Sequence, residues 1–269
     1  LNIEDLDAIA VTQGPGLAGS LVVGLNMAKG IALAAGKPLI GVNHMEGHIY
    51  SAWLYPANAT PHQAPRFPLL ALLVSGGHSE LVLMTDHLTY QRLGGTLDDA
   101  AGEAFDKIAR LLDLPYPGGP SIQKASAAGK ETAFNFPKAT LEGTWDFSFS
   151  GVKTAVLRTV EALQAEGRPL PIADLAASFQ AAVADVLVEK TLLAADEHKV
   201  REIIVAGGVS ANKRLREKIL SESTRPVHIP PLSLCTDNAA MIAGAGYYHY
   251  IQQDFSAFDI DVLPTWPLS

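Results

Sequence analysis

The sequence is poor in cysteine, in charge and in long apolar runs. Its one cysteine, Cys235, excludes a disulfide within the chain and favours the cytoplasm over an oxidising compartment. The longest uninterrupted apolar run covers residues 69–74, far below the ~20 residues that a membrane span needs. Lys plus Arg number 20 against 28 Asp plus Glu, a net charge of −8. That balance excludes a histone-like protein that coats nucleic acid.

Apolar residues make up 48% of the 269 positions, which is enough for a large core. The first part predicts a βαβ unit, with a strand at 8–11, an apolar helix at 20–35 and a strand at 39–42. An irregular connection should follow between residues 55 and 68, because four prolines lie there: Pro56, Pro61, Pro65 and Pro68. We place a boundary between two lobes in this segment.

The second part predicts antiparallel strands followed by alternating helices and strands. Apolar runs at 69–74 and 80–84 flank the turn Ser75–Ser79 and indicate a hairpin. Helices are expected at about 97–112 and 172–198, the first with its core side formed by Leu97, Ala101, Ala104, Phe105, Ile108 and Leu112. Short strands at 202–206 and 227–229 should each lead into a helix. The pattern favours a two-lobed α/β protein with a cleft.

Two histidines and one aspartate have the chemistry of a metal site. His44 and His48 lie four residues apart in NHMEGH, so on a helix both imidazoles share one face. Asp237 in CTDN is the candidate third ligand, although it could instead cap a helix, and either histidine could simply pack. A zinc protease of the HExxH type is disfavoured, because Met45 and not Glu46 follows the first histidine.

Three glycine-rich turns follow predicted strands, at Gly14–Ser20, Ser75–Ser79 and Ala206–Asn212. Glycine lets backbone N–H groups approach an anion closely, and three such turns indicate a nucleotide in a cleft. None of them matches G-x-G-x-x-G or the Walker sequence.

Two charged clusters leave alternatives open. Asp99, Glu103 and Asp106 would form a stripe on one helix, either solvated or with Asp106 accepting from a ribose hydroxyl. The second cluster would be either a solvated helix face or a local RNA-binding patch, and it comprises Lys213, Arg214, Arg216 and Lys218.

Eight segments together resemble one family, the TsaD family, whose bacterial members are tRNA adenosine threonylcarbamoyltransferases. They occur in the family's order and are VTQGPGLAGSLVVGLNMAKG, NHMEGH, LLVSGGHSEL, DDAAGEAFDKIARLL, YPGGP, FSFSGVKT, AGGVSAN and CTDNAAMIA. The resemblance implies an actin and sugar-kinase-like fold of two lobes around a nucleotide cleft. It places residues 1–66 plus 236–269 in a first lobe, incomplete at its N-terminus, and residues 67–235 in a second lobe.

The resemblance also implies a reaction. The threonylcarbamoyl group of threonylcarbamoyl-AMP would pass to the exocyclic amine of adenosine 37 in ANN-decoding tRNAs, with release of AMP. His44, His48 and Asp237 would hold iron or zinc. The adenylate would be wrapped by Leu73, Val74, Ser75, Gly76 and Gly77, while Asp106, Gly119 and Asn212 would fix its ribose and base. No residue is assignable as a general base.

Partners and alternatives follow from the same resemblance. A paralogous TsaB-like subunit, a TsaE-like small ATPase and a separate enzyme that makes the adenylate are expected, with no membrane. Two other readings stay open: a metalloendopeptidase, and a nucleotide-binding partner subunit without catalysis, which should lack the metal ligands.

The net charge generates a testable expectation for RNA binding. Because a charge of −8 repels a polyanion, the isolated chain should bind tRNA weakly, with a Kd of roughly 1–100 µM at physiological salt and weaker binding as salt rises. Filter binding against a salt series measures both quantities. Submicromolar binding at physiological salt would contradict the expectation.

Overall fold

The computed structural model describes residues 2–55, 63–138, 141 and 143–268, which contain seven strands and nine α-helices. The strands are β1 (Ile9–Gly14), β2 (Leu39–Asn43), β3 (Leu69–Val74), β4 (Ser79–Asp86), β5 (Thr89–Gly95), β6 (Glu202–Ala206) and β7 (Val227–His228). The helices are α1 (Ala18–Ala35), α2 (His44–Tyr50), α3 (Ala101–Leu111), α4 (Gly118–Ser126), α5 (Ser150–Ala165), α6 (Ile172–Glu197), α7 (Lys213–Glu222), α8 (Leu232–Cys235) and α9 (Ala239–Ile251).

The first sheet confirms the predicted βαβ unit. Strands β1 and β2 pair in parallel, and α1 is the crossover between them. The buried side of α1 carries small and aliphatic residues at helical spacing, namely Leu21, Leu25, Ala28 and Ala32. The helix stops at Gly36, whose φ of +62° is the left-handed conformation that glycine adopts without strain.

The second sheet has the strand order β5-β4-β3-β6-β7. The predicted hairpin is confirmed, since β3 and β4 pair antiparallel, whereas β6 runs parallel to β3. All six residues of β3 are buried, and its side chains alternate between two cores. Leu70, Leu72 and Val74 join a core with α3, α5 and α6. The alternate residues Leu69, Ala71 and Leu73 join a core with α2 and α9.

Helices α2 and α9 lie between the two sheets. One side of α9 approaches the first sheet so closely that the Cβ of a residue at Gly246 would lie 2.6 Å from the Cβ of Ala10. Helix α2 packs on β3 and β6 through the second core. Every residue of α2 after His44 is buried, so the segment NHMEGH is part of the interior rather than a surface loop.

The structure corrects the predicted helix at 97–112. Helix α3 begins at Ala101, and Leu97 is 66% exposed instead of packing in the core. Thr96 bridges to Phe147, and its Oγ1 donates to the carbonyl of Asp99, which holds residues 96–99 outside the helix. Asp99 therefore leaves the predicted carboxylate stripe.

Two further differences are local. Helix α4 begins within the segment YPGGP, although proline and glycine are poor helix formers: Pro117 precedes the first helical residue, where its missing N–H costs nothing. The helix expected after the strand at 227–229 is two helices, α8 and α9. Pro56 and Pro61, on which the lobe boundary partly depends, lie outside the described residues.

One helix of the described chain, α1, meets the length and composition of a membrane span, with a mean hydropathy of 1.4 over 18 residues. Such a helix near an N-terminus is weak evidence for a membrane, because core helices pass the same test. The opposite side of α1 exposes apolar side chains, which include Val23, Met27 and Leu33.

Two glycines of α9 provide a test of its packing. Gly246→Ala should lower the free energy of unfolding by about 1–3 kcal/mol, because the new methyl group would meet the rigid Cβ of Ala10. Gly244→Ala is the matched control: its Cβ would meet only side-chain atoms of Leu54, at 3.4–3.6 Å. That variant should be neutral or gain up to ~1 kcal/mol of helix propensity. Urea denaturation measures both changes, and equal stability of the two variants would contradict the packing.

Candidate metal centre and nucleotide pocket

The first two candidate metal ligands are fixed by the junction of β2 and α2. Asn43 ends β2 and caps α2, with its Oδ1 accepting from the N–H of Met45 at 2.9 Å. His44 and His48 then occupy successive turns, with ring centroids 4.8 Å apart and ring planes at 85°. The shared helix face that the spacing predicts is therefore present. His48 is 1% exposed, and the His44 side chain is 22% exposed.

Asp237 comes from the other end of the chain, in the turn between α8 and α9. The capping alternative for this residue is wrong, because Asn238 caps α9 and accepts from the N–H of Met241 at 2.9 Å. The Asp237 carboxylate instead faces the histidines: its Oδ1 lies 3.3 Å from Nε2 of His44 and 3.2 Å from Nε2 of His48. Hydrogen bonding to His44 and His48 holds the pKa of Asp237 well below its usual value.

These three side chains suit a metal ion. Their ligand atoms lie within 4.8 Å of one another, and bonds of about 2.1 Å in a tetrahedral site would put neighbouring ligand atoms roughly 3.4 Å apart. The Asp237 side chain is 76% exposed, so the site is closed at His48 and open at Asp237. His44 and Asp237 line a cleft of about 700 Å³ along β1, α1 and α9. A substrate oxygen could thus approach from the open side.

Glu46, between the two histidines, is engaged elsewhere. Its Oε1 accepts from the hydroxyl of Tyr90 at 2.6 Å, and its Oε2 lies 2.8 Å from Nε2 of His249. A metalloprotease needs a carboxylate beside the metal-bound water. The position of Glu46 gives the protease reading no support.

A second cavity, of about 290 Å³, gathers four of the residues that the resemblance assigns to the adenylate: Gly76, Asp106, Gly119 and Asn212. Leu73 and Val74 do not line it, since both side chains are fully buried in the two cores and only their backbone can face a ligand. Ser75 and Gly77 belong to the adjoining hairpin turn, in which the Ser75 hydroxyl accepts from the N–H of His78 at 3.1 Å. The ligand roles of all eight remain proposals.

Asp106 and Asn212 are both held by local contacts. One carboxylate oxygen of Asp106 accepts from the N–H of Gly118 at 2.7 Å, which joins α3 to α4. The Oδ1 of Asn212 caps α7 through the N–H of Leu215, and its Nδ2 donates to Gln180 at 2.8 Å. Both side chains are thus oriented before any ligand binds.

Several lining residues were missed by the sequence analysis. The cavity wall also includes Gly102, Phe105, Tyr116, Gln123 and Val209. Phe105 was expected only in the core, whereas Tyr116 belongs to the quoted segment YPGGP and is 84% exposed. An exposed aromatic residue beside a Gly-Gly pair was the signal that could have identified this wall.

The basic cluster on α7 is mostly paired. Arg214 Nε lies 2.7 Å from Glu131, and Lys218 Nζ lies 3.1 Å from Asp185. Arg216 donates to the carbonyls of Ser210 and Pro230. Lys213 has a 74% exposed side chain, and its Nζ lies 3.6 Å from a carboxylate oxygen of Glu217. The cluster is therefore a network of ion pairs and backbone contacts, which leaves little free charge for RNA phosphates.

The fold and the two sites define an α/β protein with a nucleotide-sized cavity and a candidate metal site of two histidines and one aspartate. Residues 1–244 match the model of the TsaD family, described as "tRNA N6-adenosine threonylcarbamoyltransferase". The chain belongs to this family.

Curated relatives carry the same description. One from Dehalococcoides mccartyi is 53% identical over 262 residues, which are 97% of this chain and 77% of the relative. One from Desulfitobacterium hafniense is 55% identical over 269 residues, which cover 98% of this chain and 77% of the relative. Among solved structures, HypF from T. kodakarensis has a TM-score of 0.68 at 16% identity, over 93% of this chain and 42% of that one. The α/β, actin and sugar-kinase-like fold class predicted from the sequence is confirmed.

Packing of α3 against the hairpin turn gives a test of the nucleotide cavity. A Cβ at Gly102 would lie 2.6 Å from the carbonyl oxygen of Ser75 and 2.7 Å from Cα of Gly76. Gly102→Ala should therefore displace the turn and weaken AMP binding about tenfold, the equivalent of ~1.4 kcal/mol. Gly151→Ala, where a Cβ meets nothing within 4 Å, is the control. Calorimetric titration with AMP tests this, and unchanged affinity in Gly102→Ala would refute it.

Proposed function

We propose that this chain transfers the threonylcarbamoyl group of threonylcarbamoyl-AMP to the exocyclic amine of adenosine 37 in ANN-decoding tRNAs, releasing AMP. Membership of the TsaD family supports the reaction. The observation that carries the proposal is the intact trio of His44, His48 and Asp237, with ligand atoms within 4.8 Å of one another. A partner subunit without catalysis should lack such a set.

The chain's own residues would mainly bind and orient the adenylate. The amine nitrogen attacks the carbamoyl carbonyl, the bond from that carbon to the phosphate oxygen breaks, and the nitrogen loses a proton. The mixed anhydride is already activated, so correct placement of the two reactants can supply much of the rate. Gly76, Asp106, Gly119 and Asn212 would hold the nucleoside, and the open face at Asp237 would admit the phosphate or the threonyl carboxylate.

The proposed cofactor is one divalent metal ion, iron or zinc, held by His44, His48 and Asp237. Two imidazoles and a carboxylate suit either ion, because both accept mixed nitrogen and oxygen ligands. When bound, the ion would supply Lewis-acid stabilisation of the charge that develops on the leaving phosphate.

The proposed partners are tRNA, a TsaB-like subunit and a TsaE-like ATPase, in the cytoplasm. The net charge of −8 and the paired basic cluster support tRNA recognition that is shared with other proteins. The apolar side of α1, with Val23, Met27 and Leu33 exposed, is the kind of surface that partner subunits cover.

The proposed lobes are residues 1–66 plus 236–269, and residues 67–235. Packing of α9 on β1 and β2 supports the inclusion of the C-terminal segment in the first lobe. The core shared by α2, α9 and β3 means that the lobes would meet across a packed interface.

Incorporation of labelled threonine into tRNA tests the function, with the adenylate-generating enzyme and the partner proteins supplied. Asp237→Ala should lower incorporation at least about a hundredfold, because removal of a metal ligand sacrifices charge stabilisation in the transition state. An Asp196→Ala variant is the control, since Asp196 is also an exposed carboxylate paired with a basic side chain, Arg225, but lines neither cavity. Incorporation that is equal in the unmodified chain and in Asp237→Ala would remove the metal site from the reaction.

A further inference from the structure

A buried carboxylate that the proposed reaction does not use lies inside the metal-binding helix. Glu46 is 4% exposed, although ionised carboxylates are rarely buried without partners. Its partners come from two other elements: Tyr90 of β5 donates to Oε1 at 2.6 Å, and His249 of α9 lies 2.8 Å from Oε2. One short helix is thus joined by a single side chain to the second sheet and to α9.

His249 completes the network. It lies in the last turn of α9 and its side chain is 13% exposed. Its second ring nitrogen, Nδ1, lies 2.8 Å from a carboxylate oxygen of Asp254. Burial alone would lower the pKa of His249, but its hydrogen bonds and charge interactions with Glu46 and Asp254 raise it above the usual value. The contact between α2 and α9 is thus a buried carboxylate–imidazole hydrogen bond.

The same two helices hold the three metal ligands. His44 and His48 lie on α2, and Asp237 immediately precedes Asn238, the cap of α9. Between these contacts α2 crosses α9 closely: a Cβ at Gly47 would lie 2.8 Å from Cδ1 of Ile242. Helix α2 has seven residues and is only ~10 Å long. Any rotation about the Gly47 crossing would move His44 and His48 relative to Asp237.

We propose that the Glu46–His249 pair is a positioning contact that sets α2 on α9 and so keeps the imidazoles of His44 and His48 at metal-binding distance from Asp237. The inference rests on the proposed metal site. Neither residue is one of the three candidate ligands, and neither lines the cleft beside them. Metal ligands must be held within a few tenths of an ångström, which a helix of two turns cannot ensure by its own backbone alone. The Tyr90 contact adds a second anchor, on β5, for the same carboxylate.

Cobalt(II) titration of the full chain tests the proposal, with visible absorbance reporting both affinity and ligand geometry. Glu46→Ala should lower cobalt affinity at least about tenfold, in the range found for residues that orient metal ligands. It should also change the absorption bands of the bound ion. Glu46→Gln should rescue both, because its amide oxygen can accept from Tyr90 while its NH₂ donates to neutral His249. If Glu46→Ala does not fold, Glu46→Asp, whose shorter side chain keeps the charge but loses the reach, is expected to show the same loss.

A second buried pair of the same chemistry provides the matched control. Glu202 is 2% exposed and its Oε2 lies 2.7 Å from Nε2 of His228, but it joins β6 to β7 and not α2 to α9. Glu202→Ala should lower thermal stability, as Glu46→Ala does, while cobalt affinity and spectrum stay as in the unmodified chain.

The outcomes separate the two proposals. Normal cobalt affinity and spectrum in folded Glu46→Ala, or an equal loss of affinity in Glu202→Ala, would overturn the positioning role and leave the metal site in place. Absence of cobalt binding in the unmodified chain would overturn the metal site itself, and the positioning role with it. A loss of cobalt affinity in Glu46→Ala that Glu46→Gln rescues would support both the metal site and the positioning role.

Discussion

The structure depends on β3, a strand that is buried on both faces. Leu70, Leu72 and Val74 face the helices of the second sheet, while Leu69, Ala71 and Leu73 face α2 and α9. Because side chains alternate along a strand, a shift of one residue would exchange the two sets. The carboxyl end of β3 leads into the turn at Ser75 and Gly76, and its second face supports the helix of His44 and His48. One strand thus fixes both the cavity that Gly76 and Asp106 line and the candidate metal centre.

The metal centre is also a meeting point of the two ends of the sequence. His44 and His48 follow the first sheet, whereas Asp237 precedes the last helix. Nothing in the local sequence brings these segments together. Their approach is a consequence of the shared core, in which Met45 and Ile49 of α2 pack with Met241 and Ile242 of α9. Loss of packing in that core should therefore affect metal binding and stability together.

Local patterns predicted most of the fold, and several of the residues they singled out lie together at the two candidate sites. The βαβ unit, the hairpin and the shared face of His44 and His48 follow from periodicity and spacing, which are properties of short segments. The predictions fail where contacts between residues that are distant in the sequence determine the local structure. Asp99 leaves the helix because Thr96 pairs with Phe147 and because Lys107 and Lys153 bind its carboxylate, at 2.6 and 2.5 Å. The pairing of Glu46 with His249 joins residues 203 positions apart, so no local pattern could reveal it.

The burial of NHMEGH explains how one helix can hold both the candidate metal ligands, His44 and His48, and a buried carboxylate, Glu46. Four-residue spacing puts the buried His48 beside the partly exposed His44, where the exposed carboxylate of Asp237 can complete a metal site. The intervening Glu46 faces the interior, where a carboxylate is stable only with donors around it. The candidate metal ligands must be accessible to a substrate. The Glu46 carboxylate, which is proposed to orient their helix, must be shielded from water. Helix α2, with about two turns, meets both requirements because His44 borders the cleft while Glu46 lies in the interior.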